Sequence, residues 1–229
     1  MVSAVIVAAG RGVRMQSDTR KQYLKVAGRP VLVHTLLKFD VCPLIDQICL
    51  VVPDDDLDFC RRRLLSDGPI KKPVKVVAGG RHRQQSVYNG LKSLDHKNGL
   101  VAIHDGVRPL VDPLLITACI RAAETNGACA PGIPADDTIK RVSGEGTIAG
   151  TVDRKSLWLI QTPQVFRYAI IIEAHDRALR DGYVGTDDAT LVERLGFPVT
   201  IISGSKSNIK VTTAEDLTMA AALLKAAGE

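Results

Sequence analysis

The chain has 229 residues, long enough to bury a substantial core as one large domain or two small ones. With 45% hydrophobic and 24% charged residues its composition is that of a soluble globular protein, and no apolar run reaches the roughly 18 residues of a membrane span. The formal net charge of +5 suits anionic ligands, but only 4% of residues are aromatic and the cations punctuate loops, which argues against nucleic acid as the main partner.

Cys42, Cys49, Cys60, Cys119 and Cys129 are odd in number and share no C-x-x-C spacing. Most sit among apolar neighbours, so free buried thiols in a reducing cytosol are expected in place of disulfides or zinc ligands. The five histidines form no H-E-x-x-H pair, and the N-terminus has no charged n-region of a signal peptide. A cytoplasmic protein with no membrane partner is the expectation.

An apolar run over residues 4–9 has strand length and composition, and it empties into Gly10, Arg11, Gly12, Val13 and Arg14 ahead of the basic pair Arg20 and Lys21. Small residues at Ala8, Ala9, Gly10 and Gly12 let backbone N–H groups approach a ligand with no β-carbon in the way, and a run of such amides cradles anions. The loop matches neither standard glycine motif: no G-x-x-x-x-G-K-[ST] string occurs, and Met15 stands where a dinucleotide fingerprint needs a third glycine or alanine. A phosphate cradle with its own cations and a glycine-rich turn with solvated basic residues both remain open.

Residues 30–39 carry apolar side chains at helical spacing behind Pro30, and 47–52 read as a buried strand closed by Pro53. Residues 54–65 read as one helix, with acids at its start and Arg61, Arg62 and Arg63 near its end to suit the helix dipole. A strand over 74–78 meets Gly79 and Gly80, and Arg81, His82 and Arg83 lead into a helix over about 84–94. A fourth strand over 100–104 ends at Asp105, where an open α/β sheet presents its ligands. A helix over 112–126 and a strand over 128–133 follow. This alternation predicts an α/β fold, a Rossmann-like three-layer structure whose mostly parallel sheet is covered by helices on both faces.

The pattern breaks over 134–158. Two stretches of alternating polar and β-branched residues flank Ser143, Gly144, Glu145 and Gly146, which predicts a β-hairpin. A hairpin of that size cannot stabilise itself, so it must lie on the parent domain or on a second subunit. Residues 157–161 return as a strand, 167–180 as a helix, 185–195 as another helix opened by Gly185, Thr186, Asp187 and Asp188, and 199–203 as a late strand. A polar loop over 206–212 carries Lys210, and 213–226 form an amphipathic helix with Thr213 and Asp216 placed as a capping box. With no linker or repeat, one domain over 1–229 with an arm over 134–157 is the simplest organisation.

The strings AAGRGVRM and KQYL resemble the signature of sugar-phosphate nucleotidyltransferases. HDGVRP from His104, TVDR from Thr151, TPQ from Thr162 and NIKVT from Asn208 narrow the resemblance to the 2-C-methyl-D-erythritol 4-phosphate cytidylyltransferase family, nearly end to end. The resemblance implies CTP and a polyol phosphate as substrates, Mg2+ as the divalent cation, and a homodimer made through the β-arm. It gives Arg14, Lys21 and Lys210 the catalytic charges. Amides of Ala8, Ala9, Gly10 and Gly12 would surround base and phosphates, Gly79, Gly80 and Ser86 the nucleobase, and Asp105 the metal. For the polyol phosphate it implies Arg108, Thr162, Thr186 and Lys210, with Thr138 and Arg154 from the arm of the other subunit.

For several of these residues a plainer reading stays open: Asp105 paired with Arg108 to shape a turn, Ser86 as a helix-surface hydroxyl, Arg154 as a hairpin surface residue. Arg20 stands where the family commonly has proline, Arg81 where some members carry an acid near the ribose, and Gly106 with Val107 in place of an alanine pair. The competing functions are ribitol 5-phosphate cytidylyltransferase, which shares these motifs, and a non-catalytic nucleotide- or RNA-binding protein.

Overall fold

The computed structural model describes residues 1–10, 19–66 and 68–228. The first strand, β1 (Val2–Val7), is followed by a short antiparallel pair, β2 (Lys25–Val26) and β3 (Arg29–Pro30), and by helix α1 (Val31–Asp40). Strand β4 (Gln47–Val52) leads to a 3-10 turn at Asp54–Asp56, one α turn, α2 (Leu57–Phe59), and a wider π turn over Cys60–Leu65. The stretch expected as one uniform helix is therefore three kinds of turn in succession. Then come β5 (Val74–Ala78), α3 (Arg83–Ser93), β6 (Leu100–Asp105), α4 (Pro113–Asn126) and β7 (Ala128–Pro134). The expected hairpin is β8 (Lys140–Val142) with β9 (Ile148–Thr151). The chain closes with β10 (Trp158–Ile160), β11 (Gln164–Arg167), α5 (Tyr168–Arg180), α6 (Asp188–Arg194), β12 (Thr200–Ser203) and α7 (Ala214–Ala226).

Strands β5, β4, β1 and β6 run parallel side by side, and β11 then enters antiparallel between β6 and β7. Strands β10 and β11 lie in line along one edge of β7, with Ile160 opposite Gly132 and Val165 opposite Cys129. Strand β12 pairs parallel with the other edge, Ile201 opposite Ala130. The sheet is thus mostly parallel, with one antiparallel ribbon let into it. Residues 164–167, which no strand was expected to occupy, supply that ribbon.

Period-two alternation along the strands separates the two layers. Ala4, Ile6, Ile48 and Leu50 face α1 and α4, in a cluster with Leu36, Phe39, Ile116 and Ile120. Val5, Cys49, Val51, Val101 and Ile103 face the other way, against Val87 and Leu91 of α3 and Ile171 of α5. All five cysteines are free and buried, as expected. Helix α7 covers a third, smaller cluster of Val26, Val31, Val107 and Val211, and its Thr213–Asp216 capping box is formed in both directions.

Candidate active site

Because β1, β5 and β6 run in one direction, their C-terminal ends open on the same edge, and the loops leaving them enclose a cleft of about 580 Å³. Ala8, Ala9 and Gly10 line it from the first loop, Gly80, Arg81, His82 and Arg83 from the second, and Asp105 and Val107 from the third. Lys21, Gln22, Ser86 and Lys210 complete the wall. Two backbone bonds lock the rims together: Ala8 N–H donates to Val51 O at 2.8 Å, and Gly79 N–H to Val52 O at 2.7 Å. A β-carbon built on Gly79 would lie 2.3 Å from the Ala9 Cβ, so glycine is what lets the first two loops meet. On the other side a β-carbon on Gly106 would lie 3.0 Å from that of Ala8.

The first loop is held from below. Gln22, buried, donates its side-chain amide to Ala8 O at 2.9 Å and Gly10 O at 3.3 Å. Those bonds fix the two carbonyls and leave the N–H groups of Ala9 and Gly10 to the cleft; the Ala8 N–H, expected among the cradle amides, is instead bonded to Val51 O. Lys21, at the start of a 3-10 turn over Lys21–Tyr23, lines the cleft. Its neighbour Arg20 does not share that role: it pairs with Asp55 at 2.8 Å and with Asp56, against the turn after β4. The expectation of Arg20 as a loop cation is corrected accordingly, and two of the acids after β4, Asp55 and Asp56, serve as its partners. Gly12 and Arg14 lie outside the described residues.

The second loop is organised by the first turn of α3. His82 caps the helix, and the Ser86 hydroxyl accepts from Gly80 N–H at 3.0 Å while donating to His82 O at 3.1 Å. Ser86 is buried, so its hydroxyl is no helix-surface group; it shapes the glycine pair and faces the cleft. Gln85 accepts from Arg81 N–H at 2.9 Å.

At the cleft floor Asp105 is nearly buried, with Arg83 Nε 2.9 Å from Oδ1 and Lys210 Nζ 2.8 Å from Oδ2. Arg108 Nε stands 3.9 Å from the same Oδ2, so the turn-shaping pair is present but is the longest of three. Arg83 also reaches back, Nη1 to Asp188 Oδ2 at 2.7 Å, and Asp188 is held by His175 at 3.2 Å. Burial alone raises the Asp105 pKa, but Arg83 and Lys210 outweigh it and hold the carboxyl below its ordinary range. Asp188 is likewise depressed, burial being overcome by Arg83 and His175. Burial works against the Arg83 charge, and the two carboxylates reverse it. Three cations thus share two carboxylates, and Arg83 Nη2 and Arg108 Nε are buried without a hydrogen-bond partner. Such a floor favours an incoming anion.

Beneath it, the Thr162 hydroxyl accepts from Asp105 N–H at 3.2 Å and meets His104 Nδ1 at 2.9 Å. His104 Nε2 faces Arg108 O at 3.3 Å, and burial pushes the imidazole down to about 3, so it is neutral with its proton on Nε2. Thr162 is buried and does not line the cleft; it orients Asp105. Arg108 donates to Asn208 O at 2.6 Å, and Asn208 donates in turn to Thr162 O at 2.9 Å. Thr186 is exposed, on the loop before α6, with its hydroxyl 3.2 Å from that of Thr190. Thr138 and Arg154 line a separate hollow at the foot of the hairpin, where Arg154 donates to Asp136 O.

Sequence reasoning left Gln22, Arg83, Asp188 and Asn208 without roles. Gln22 and Asn208 lie within quoted strings, KQYL and NIKVT, and Arg83 two residues after the glycine pair's neighbour Arg81. No local spacing links Arg83 to a carboxylate 105 residues away.

The chain matches the family model described as 2-C-methyl-D-erythritol 4-phosphate cytidylyltransferase over residues 2–226. A protein of that name from Syntrophus aciditrophicus is 51% identical over 224 residues, covering 98% of this chain and 96% of the relative. The crystal structure of 4-diphosphocytidyl-2C-methyl-D-erythritol synthase from Anaerococcus prevotii is similar with a TM-score of 0.86 at 35% identity, covering 98% and 96% of the two chains. A 2-C-methyl-D-erythritol 4-phosphate cytidylyltransferase structure from Francisella tularensis follows at 0.81 and 31%, covering 96% and 97%.

Proposed function

The chain belongs to the 2-C-methyl-D-erythritol 4-phosphate cytidylyltransferase family, and from that premise we propose how its cleft carries the reaction. The enzyme condenses CTP with 2-C-methyl-D-erythritol 4-phosphate to give 4-diphosphocytidyl-2-C-methyl-D-erythritol and pyrophosphate, in non-mevalonate isoprenoid synthesis. A phosphate oxygen of the polyol attacks the α-phosphorus of CTP, the new P–O bond forms, and the bond to pyrophosphate breaks. The chain's task is to bring two anions together and to stabilise the charge that builds between them.

The observation that supports this assignment is the floor of Arg83 and Lys210 on Asp105, with Arg108 outside the cleft lining but 3.9 Å from the same carboxylate, set below a loop whose carbonyls are occupied by Gln22. In this reading the amides of Ala9 and Gly10, with Gly12, receive the triphosphate, the Ala8 N–H being engaged by Val51 O, and Gly79, Gly80 and Ser86 seat the cytosine. Lys21 and Arg14 stabilise the pentacoordinate phosphorus. Lys210, tethered to Asp105, and Arg108 receive the polyol phosphate, with Thr186 contributed by the exposed loop before α6 and Thr162 acting through Asp105.

Mg2+ fits the donor set at Asp105. Each of its oxygens accepts one hydrogen bond and keeps a lone pair, and the carboxyl stays ionised. No cluster of three or more potential ligands occurs among the described residues, so phosphate oxygens and water would supply the remaining positions. When bound, the ion neutralises phosphate charge and aligns the triphosphate.

The hairpin supports a homodimer. Every residue of β8 and β9 is exposed, including Val142 and Ile148, and at its base Ile160 and Ile201 flank Gly132 as a half-exposed apolar face. A second copy covering these would bring Thr138 and Arg154 to its partner's cleft. Among the described residues no helix is long and apolar enough to cross a membrane; it is the charged, water-soluble substrates that support a cytoplasmic site of action.

The test is pyrophosphate release from CTP with and without Mg2+, with methylerythritol phosphate and ribitol phosphate in parallel. Release that needs Mg2+ and prefers methylerythritol phosphate is expected, and Lys210→Ala should cost about 10²-fold in kcat/KM. Release independent of divalent cations, or unaffected by Lys210→Ala, would remove the roles given to Asp105 and Lys210.

A further inference from the structure

The first turn of α3 holds four different parts of the site with four successive residues. Arg83 binds Asp105 and Asp188, Gln85 the Arg81 amide, and Ser86 the Gly80 amide. Gln84 alone turns away from the nucleotide side. Its Nε2 donates to Tyr183 O at 3.0 Å and its Oε1 accepts from Gly185 N–H at 2.9 Å, so both ends of one amide clamp the loop that carries Thr186.

That loop has few other anchors. Tyr183 N–H donates back to Ala178 O and Asp187 caps α6, bonds within the same α5–α6 connection, while from the sheet Gln164 of β11 donates to Asp187 Oδ2 at 2.7 Å and accepts from the N–H groups of Asp188 and Ala189. Tyr183 and Val184 are exposed, and Gly185 rests on Leu191 within α6. Tyr183 also lies under Arg194, 4.8 Å from its ring centre, again from α6. The bonds from Arg83 to Asp188 and from Gln84 to Tyr183 and Gly185 are what join this connection to the helix that leaves the glycine pair.

We propose that Gln84 is a positioning residue for the second substrate: it fixes the 183–187 loop, and through it Thr186, relative to the nucleotide cleft. The Arg83–Asp188 pair and Gln164 anchor the loop's buried end, and Gln84 alone ties its exposed end to the helix that leaves the glycine pair. The inference rests on the reading of Thr186 as a polyol phosphate contact. An exposed loop tied at both ends is held near its bound geometry before substrate arrives, which lowers the ordering cost of binding.

Gln84 lies on the helix surface, so its replacement leaves the core intact. Gln84→Ala is expected to raise KM for methylerythritol phosphate roughly tenfold, the effect of losing about one net hydrogen bond from a preorganised loop, with KM for CTP changed less than about twofold. Gln84→Glu keeps the acceptor for Gly185 and loses the donor to Tyr183, so it should fall between the two. Thr186→Ala is measured alongside, alone and with Gln84→Ala. A double variant no worse than the worse single one confirms that both act through one loop. Unchanged KM values in Gln84→Ala, or equal rises for both substrates, would overturn the clamp. If Thr186→Ala has no effect while Gln84→Ala retains its selective rise, the clamp stands and the Thr186 contact falls.

Discussion

Histidine 104 shows how one buried proton site ties stability to the site's geometry. It packs against Phe39 with ring centres 4.9 Å apart and is held at both nitrogens, by the Thr162 hydroxyl and the Arg108 carbonyl. Burial lowers its pKa to about 3, against an ordinary value near 6.5 in the unfolded chain. The folded pKa is depressed, so at neutral pH neither state holds the proton and nothing is lost. As pH falls below about 6.5 the unfolded chain takes up a proton that the folded one refuses, and stability drops by up to about 1.4 kcal/mol per pH unit until the folded pKa is reached. His104→Gln, which can still bond Thr162 or Arg108, is expected to flatten the denaturant-midpoint profile between pH 6 and about 4. An unchanged slope would place the acid sensitivity elsewhere. Asp105 contributes in the same direction but over a lower window, because its carboxyl is held below the ordinary carboxylate range and loses its pairing with Arg83 and Lys210 only under strong acid.

At the scale of elements the site depends on how closely parallel strand ends can approach. Gly79 ends the β5 loop against Ala9 of the β1 loop with no room for a methyl group, and behind it Gly90 of α3 lies where a β-carbon would come within 2.7 Å of Val5. Gly79→Ala should therefore push the first two loops apart, a strain of about 1–3 kcal/mol of the overpacking kind, and the nucleotide should feel it before the polyol does. KM for CTP is expected to rise about tenfold or more with little change for methylerythritol phosphate; equal sensitivity of the two would contradict this placement of the nucleobase. The core around these loops was readable from sequence because β1, β4, β5, β6 and β7 each have a separate apolar run and a glycine, proline or acid at or just after their ends; the two-residue strands β2 and β3 carry no such run and were not. Strand β11 was not: Gln164–Arg167 is four residues long, runs directly into α5, and owes its pairing to β6 and β7, about 36 to 67 residues upstream. The same limit hid part of the site. Ala8, Ala9, Gly10, Lys21, Gly80, Ser86, Asp105 and Lys210 announced themselves by local chemistry and meet in one cleft. Arg83, Gln84 and Asp188 acquire roles only through partners 13 to 105 residues away.

For the whole molecule the question is where Thr138 and Arg154 act. Within one chain they sit beside the hairpin, in a hollow that shares no residue with the cleft, while the hairpin itself buries none of its residues. A two-stranded ribbon of three and four residues has marginal stability in water, so an arm fixed in this form calls for a covering surface. If that surface is a second copy set so that one arm reaches the other chain's cleft, two-fold symmetry makes the exchange reciprocal, and every active site is composite. Subunit mixing distinguishes this from an arm that serves its own chain. An Arg154→Ala chain keeps a complete cleft and a Lys21→Ala chain a complete arm, so a mixed dimer joins one intact cleft to one intact arm and puts both lesions in its second site. With random exchange of equal amounts, half the dimers are mixed and each has one working site. Activity should recover to about a quarter of the wild-type level from two nearly inactive parents. Were the arm to act in its own chain, mixing would recover nothing, since each cleft would keep its original lesion. A size measurement on each parent guards the outcome, because both must remain dimers for the exchange to report on the site.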